Sequence, residues 1–358
     1  MSCADAQEAE LSDATPHDLP IRPTTRAQRR VASVLALEPE DAPTPQARLA
    51  GRFIRIFGRS AWENAPDGDA GLIRIRRVTD RLARLQRTPG GVTIVPERIG
   101  RSGESEWVRA GLPDERKVLL YLHGGGYFFG SPRLYRPFTW RLSAATGRPV
   151  LALDYRLAPD HTPADALEDA LDAYGHLLKR GYRGRDIVVG GDSAGGHLTL
   201  ALLHSLKERG QPLPRAAVCL SPWVDLMCEA DSHRLNERSD VLIPARKLAA
   251  LGRRFCAGKP QDDPLFAPVR GDLTGHPPMM LMASGTEILR DDVRNLADRA
   301  RAAGVEVTYQ EWDGLVHVFP VFADFIPEGK AAFRHIAEFL RRAEGRPAAA
   351  AEGPSSSQ

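Results

Sequence analysis

Ser193 lies in Gly191-Asp192-Ser193-Ala194-Gly195, directly after the apolar run Ile187-Val188-Val189. A buried strand that runs into G-x-S-x-G and then a helix describes a nucleophile elbow. Only small residues fit so tight a turn, and Gly191, Ala194 and Gly195 supply them. The turn lifts a serine hydroxyl above a sheet, where a substrate carbonyl can reach it. The pentapeptide alone does not decide the matter. At average Gly and Ser usage, roughly one chain in ten of this length holds it by chance. The competing reading is a plain glycine-rich turn, so the chemistry must be sought in partners elsewhere.

One partner is His123-Gly124-Gly125-Gly126-Tyr127, which follows another apolar run upstream. Three successive glycines leave backbone N–H groups uncovered by side chains. Such a loop can point two donors at a developing oxyanion, with a third from the N–H of Ala194. Phosphate binding is disfavoured, because neither G-x-x-x-x-G-K-[ST] nor G-x-G-x-x-G fits here. A serine nucleophile also needs a base, in the order Ser, acid, His if the elbow is of this class. His317, in Gly314-Leu315-Val316-His317-Val318-Phe319, follows the last strand-like run and alone has that position. His204, His276 and His335 read as ordinary surface or core histidines. The acid should follow the preceding strand, where the chain reads Gly285-Thr286-Glu287-Ile288-Leu289-Arg290-Asp291-Asp292. Glu287 is the first acid there and is chosen to hold the imidazole tautomer and stabilise the imidazolium. Asp291 is the rival. It and Asp292 are otherwise explained as N-caps of the helix that follows.

These residues must be held by a framework, and the chain alternates two periodicities. Strand-like runs occur at 92–95, 106–108, 118–122, 149–153, 187–189, 216–220, 279–283 and 305–309. Helix-like spacing occurs at 166–178, 197–206, 293–303 and 331–340. Strand and helix in alternation imply an α/β fold with a mostly parallel sheet covered on both faces. Chemistry then gathers at the carboxyl ends of the strands. Two stretches, 31–85 and 224–262, lack strands but carry helical runs at 73–85 and 245–255. They fall where helices could form a lid. The expected organisation is a disordered segment at 1–28 and a cap region at 29–85. A catalytic domain at 86–345 with a cap insertion at about 224–262 follows, and then a loose tail at 346–358.

Composition narrows the classes. The net charge of +2 implies no nucleic-acid or membrane steering, and the excess of Arg over Lys reads as genome composition. Cys3, Cys219, Cys228 and Cys256 form no C-x-x-C pair, so free thiols in a reducing compartment are expected. The first twenty residues hold no apolar core segment, and no apolar run is long enough to span a bilayer. A cytoplasmic protein without stable membrane insertion is the expectation.

HGGGY at 123–127, DYRLAPDH at 154–161, GDSAGG at 191–196 and SPW at 221–223 occur in order. Together they resemble the hormone-sensitive-lipase-like esterases, also called bacterial family IV. The stretch from Asp263-Pro264-Leu265-Phe266 to His276-Pro277-Pro278 is similar to the same family, and the likeness covers about 90–340. It implies an α/β-hydrolase fold with a helical cap. It implies catalytic Ser193, Glu287 and His317, with Gly125, Gly126 and Ala194 as oxyanion donors. His123, Tyr127, Asp192 and Trp223 are expected to line or support the pocket. Asp and Arg side chains of 154–161 are expected to form ion pairs that brace the glycine loop. Two positions depart from the pattern. Glu287 stands where many members have Asp, and Asp160-His161-Thr162-Pro163-Ala164 replaces Glu and a Pro-aromatic-Pro stretch beside the acyl pocket.

The implied activity is hydrolysis of short- to medium-chain acyl esters through an acyl-enzyme, without metal or organic cofactor. Alternatives are a lactone hydrolase, or an acetyl-ester hydrolase acting on a secondary metabolite. A receptor-like small-molecule-binding protein is the alternative of another class. Receptors of this fold lose the catalytic His, which this chain keeps. The expected partner is a small ester, and homodimers are frequent in the family.

Overall fold

The strand-like runs become one eight-stranded sheet. The computed structural model describes residues 37–345 apart from 259, 261 and 262. The strands are β1 (Val92–Arg98), β2 (Glu104–Ala110), β3 (Val118–Leu122) and β4 (Val150–Leu153). They continue with β5 (Ile187–Asp192), β6 (Ala216–Leu220), β7 (Met279–Ser284) and β8 (Val307–Trp312). Their order is β1-β2-β4-β3-β5-β6-β7-β8. β2 runs antiparallel to β1 and β4, and every other pairing is parallel. The mostly parallel sheet expected from the alternating pattern is therefore present.

The helices are α1 (Pro45–Ile54), α2 (Ser60–Glu63), α3 (Asp69–Ala83), α4 (Pro132–Thr146) and α5 (Pro163–Lys179). α6 (Ala194–Glu208), α7 (Ser232–Leu235), α8 (Ala245–Phe255), α9 (Arg290–Ala302) and α10 (Pro327–Glu344) follow. Successive side chains of a strand point to opposite faces. Val118, Leu120 and Leu122 accordingly pack with α5 and α6, while Leu119 and Tyr121 pack with α4 and α10. β6 and β7 also send Ala217, Cys219, Met279 and Leu281 against α6 and α9. Both faces are covered, so the central strands read as continuous apolar runs.

Several boundaries differ from the sequence reading, three of them for a plain physical reason. α5 and α10 start at Pro163 and Pro327, earlier than 166 and 331. Apolar periodicity marks only a buried face, whereas the starts are set by proline at the first turn. In α5 Thr162 adds a capping box with Asp165. β8 starts at Val307 and not at 305, because the Val305 N–H is used by the Ala300 carbonyl at the end of α9 (2.9 Å).

The cap comes from two distant stretches. The first holds α1, a π-helical turn at Arg55–Arg59, α2 and α3; the second holds α7 and α8 between β6 and β7. They meet where Gly51 lies against Val241 and Gly58 against Leu242. The expectations for 1–28, for 29–36 and for 346–358 fall outside the described residues. Among the described residues no helix is long and apolar enough to cross a membrane.

Candidate active site

Ser193 joins β5 to α6 at φ 50° and ψ −117°, a conformation rare for any residue with a Cβ. Three backbone bonds hold it there. Its N–H donates to the Leu220 carbonyl (2.9 Å), and its carbonyl accepts from His197 and Trp223 (3.0 Å each). The neighbours must be small. A Cβ at Gly195 would lie 1.9 Å from the Leu122 carbonyl oxygen, in the strand that feeds the glycine loop. α6 therefore presses its first turn onto β3. Its amino end carries partial positive charge beside the serine. Ser193 retains 9 % of its surface.

Glu287 follows β7 and His317 follows β8. The His317 Nδ1 lies 2.6 Å from Glu287 Oε2, with both side chains buried. The other carboxylate oxygen of Glu287 accepts the Ser284 N–H (3.1 Å). Burial alone would lower the His317 pKa, but the charge and hydrogen bond of Glu287, together with the charges of Asp240 and Asp192, outweigh it and hold the imidazole above its ordinary value. A proton on Nδ1 leaves Nε2 as the basic atom. Ser221 anchors the histidine loop to the elbow. Its N–H donates to Met282 (2.6 Å), its Oγ accepts the Val318 N–H (3.2 Å), and Leu220 beside it holds Ser193. The structure thus brings the Glu287–His317 pair and Ser193 to the same strand ends. Asp291 is elsewhere, paired with Arg290 and Arg294. Neither Asp291 nor Asp292 caps α9, whose N-cap is Leu289; Asp292 instead pairs with buried His233 (2.7 Å).

The glycine loop is tied down at its first residue. Gly124 N–H donates to Asp192 Oδ1 (2.9 Å) and to the Tyr135 hydroxyl (3.1 Å). Asp192 also accepts from Tyr121 and Tyr135 (2.7 Å each). Burial pushes its carboxyl up to about 6, although these three donors favour the ionised form. Tyr155 holds the His123 carbonyl (2.6 Å) and stacks on the His123 ring at 4.3 Å. Burial pushes His123 down to about 4, so it is neutral at pH 7. Gly125 has φ 112°, and a Cβ there would meet the Phe129 carbonyl at 2.1 Å. Its carbonyl accepts from Phe128 and Phe129. None of the hydrogen bonds that pin the loop among the described residues uses the N–H of Gly125 or Gly126.

Tyr127 and Trp223 are fully buried. The Tyr127 hydroxyl meets His197 Nδ1 (2.6 Å), and the Trp223 indole N–H points at Cys228 Sγ (3.3 Å). Trp223 packs against Gly252 of α8, so it joins the sheet to the cap. The bracing expected from 154–161 takes a different form. Arg156 turns to Asp165 and Asp169 of α5, not to the loop. Besides the Tyr155 hydroxyl, contacts to the loop come from the Ala158 N–H to the Tyr127 carbonyl (2.7 Å) and from Arg76 of α3, itself paired with Asp160 (3.2 Å), to the Phe128 carbonyl (2.8 Å). Asp160 and His161 border a cavity of about 610 Å³ whose walls include Arg76, Arg98, Arg101 and Arg156. Ser193, Glu287 and His317 do not line it.

Spacing gave no sign of several supporting residues. Asn236 Nδ2 donates to the Glu287 carbonyl (2.8 Å), and buried Asp240 accepts the Ile288 N–H (3.0 Å). The other oxygen of Asp240 takes the N–H groups of Leu242 and Ile243 (2.8 Å each). Two cap residues thereby fix the loop that carries Glu287. Tyr121 and Tyr135, which hold Asp192, give support of the same kind. Among the described residues no group of three His, Cys, Asp or Glu is placed to hold a metal ion.

A family model described as alpha/beta hydrolase fold matches residues 119–321. An acetyl-hydrolase of Streptomyces hygroscopicus is 40% identical over 277 residues, covering 77% of this chain and 92% of its own. An esterase of Mycobacterium tuberculosis is 35% identical over 280 residues, covering 75% and 93%. The crystal structure of an esterase from the bacterial hormone-sensitive lipase family superposes with a TM-score of 0.78. It is 36% identical and covers 85% of this chain and all of its own. Fold and matches together define an α/β-hydrolase. The chain belongs to the hormone-sensitive-lipase-like branch, close to the bacterial family IV carboxylesterases, and is a carboxylic ester hydrolase.

Proposed function

We propose that this chain cleaves short-acyl esters by two-step acyl transfer on Ser193. His317 takes the hydroxyl proton as Ser193 Oγ attacks the carbonyl, and Glu287 stabilises the imidazolium. The Gly125, Gly126 and Ala194 N–H groups receive the developing oxyanion. His317 then gives its proton to the leaving alcohol. A water, activated by the same imidazole, releases the acid and restores Ser193. The observation that carries this reading is the buried 2.6 Å His317–Glu287 pair beside a serine held at positive φ. The acetyl-hydrolase among the relatives favours acetyl and other short acyl groups over long ones. The cap that bounds the pocket is assigned to 29–85 and 224–262.

The test is a chain-length series of p-nitrophenyl esters with a set of lactones, using Ser193→Ala as blank. Wild type should release a stoichiometric burst of nitrophenol and favour short chains. Ser193→Ala should fold normally and lose turnover by about 10⁴-fold or more. Wild-type rates in Ser193→Ala would overturn the assignment. Faster opening of lactones than of any open-chain ester would move the substrate class.

A further inference from the structure

The charge of this molecule is concentrated in one arm of the cap. Residues 45–87 carry ten arginines and four acidic residues, whereas the whole chain is only +2. The helical run Pro45–Ile54 with its continuation Arg55–Arg59 has three faces. Ala47, Ala50 and Ile54 pack on the core, and Gly58 lies against Leu242. Arg48, Arg52 and Arg55 form an exposed basic face. Leu49, Phe53, Ile56 and Phe57 form an apolar one and are 58–68 % exposed. The Phe53 and Phe57 rings touch each other at 4.5 Å. α3 repeats the pattern. Val78, Leu82 and Leu85 are exposed, and Arg77, Arg81 and Arg84 stand next to them in sequence. Among the described residues, Arg48, Arg52, Arg77, Arg81 and Arg84 form no ion pair.

We propose that this arm docks on an anionic lipid surface, with Leu49, Phe53, Ile56 and Phe57 entering the interface and the arginines meeting lipid phosphates. Large apolar side chains at helical spacing beside an arginine stripe are what an interfacial helix needs. Each arginine near an anionic leaflet adds attraction that dies away within a Debye length. A second copy of the chain is a poor occupant, because two such arms would set arginine against arginine. The contact is peripheral, since no described helix can span a bilayer. It does not depend on catalysis.

The test is flotation of the full chain with vesicles of phosphatidylglycerol and phosphatidylcholine, against phosphatidylcholine alone. Wild type and Ser193→Ala should both float with the anionic vesicles and not with the neutral ones. Raising salt from about 0.1 to about 1 M should weaken binding severalfold. Phe53→Ser/Phe57→Ser and Arg48→Gln/Arg52→Gln should each lower partitioning by about tenfold or more. Both should unfold at the wild-type temperature, so that lost flotation reports the surface and not the fold. If a variant unfolds, the charge and salt dependence of wild type decide alone. Absence of flotation, equal binding to neutral vesicles, or wild-type partitioning of both folded variants would each overturn the proposal. So would a dimer that Phe53→Ser/Phe57→Ser dissolves.

Discussion

Ser193 occupies a backbone region that costs about 1–3 kcal/mol, offset by the bonds to Leu220, His197 and Trp223. In the proposed mechanism that strain fixes where the hydroxyl stands, and His317 is the base, which works only when neutral. Because Glu287 holds the His317 pKa above its ordinary value, activity should fall as pH drops through a point above about 6.5. Glu287→Gln keeps the shape and removes the charge. Burial then wins, so the acid limb of kcat/KM should move to lower pH while kcat falls by about 10²–10⁴-fold. Asp291→Asn should leave both near wild type; a crippled Asp291→Asn with a normal Glu287→Gln would reverse the choice of acid. Stability follows the opposite sign to activity. A raised histidine pKa stabilises the fold below about pH 6.5, and that contribution is lost as pH rises through the folded value.

At the scale of elements, the site depends on how closely α6 approaches β3. Gly195→Ala would place a methyl 1.9 Å from the Leu122 carbonyl oxygen, and backbone, not a flexible side-chain end, would have to move. The expected cost is about 1–3 kcal/mol or more in thermal unfolding. Displacing β3 also displaces His123 to Gly126, so kcat should fall more than KM rises. A folded Gly195→Ala with normal kcat would show that the loop does not depend on this contact. Such local relations are why the elbow, the glycine loop and the sheet were legible in sequence. Their residues are neighbours along the chain, and a buried strand leaves an unbroken apolar run. The ends of α5, α9 and α10 were not, because a polar first turn carries no periodicity. Asp192 illustrates the limit. Its place in G-x-S-x-G was visible, but its role as acceptor for Gly124, Tyr121 and Tyr135 depends on residues from other elements.

At the scale of the molecule, the cap is coupled to the acid loop through one buried guanidinium. Arg59, in the arm before the sheet, donates to the carbonyls of Asp240 and Ile243 (2.9 Å each) in the insertion after β6. It also pairs with Glu63 and Glu237. Asp240 in turn holds Ile288, the residue after Glu287. No spacing rule could reveal a bond across about 180 residues, which only the folded cap brings together. Arg59→Met keeps the apolar stem and removes the donors. Glu63 and Glu237 are 45% and 38% exposed, so water screens them and the ion pairs themselves contribute little. The two carbonyls lose their donor, which costs about 1–3 kcal/mol each at most. Thermal unfolding should therefore drop by several degrees. The looser insertion should raise KM for esters severalfold. Its slack should reach the Glu287 loop only weakly, so kcat should fall less than KM rises. An Arg59→Met chain that unfolds at the wild-type temperature with unchanged KM would mean that the two halves of the cap are held together by their other contacts: Arg55 on the Arg238 and Ser239 carbonyls, Lys247 on Asp67 and the Ala65 carbonyl, and the packing of Gly51 on Val241 and Gly58 on Leu242.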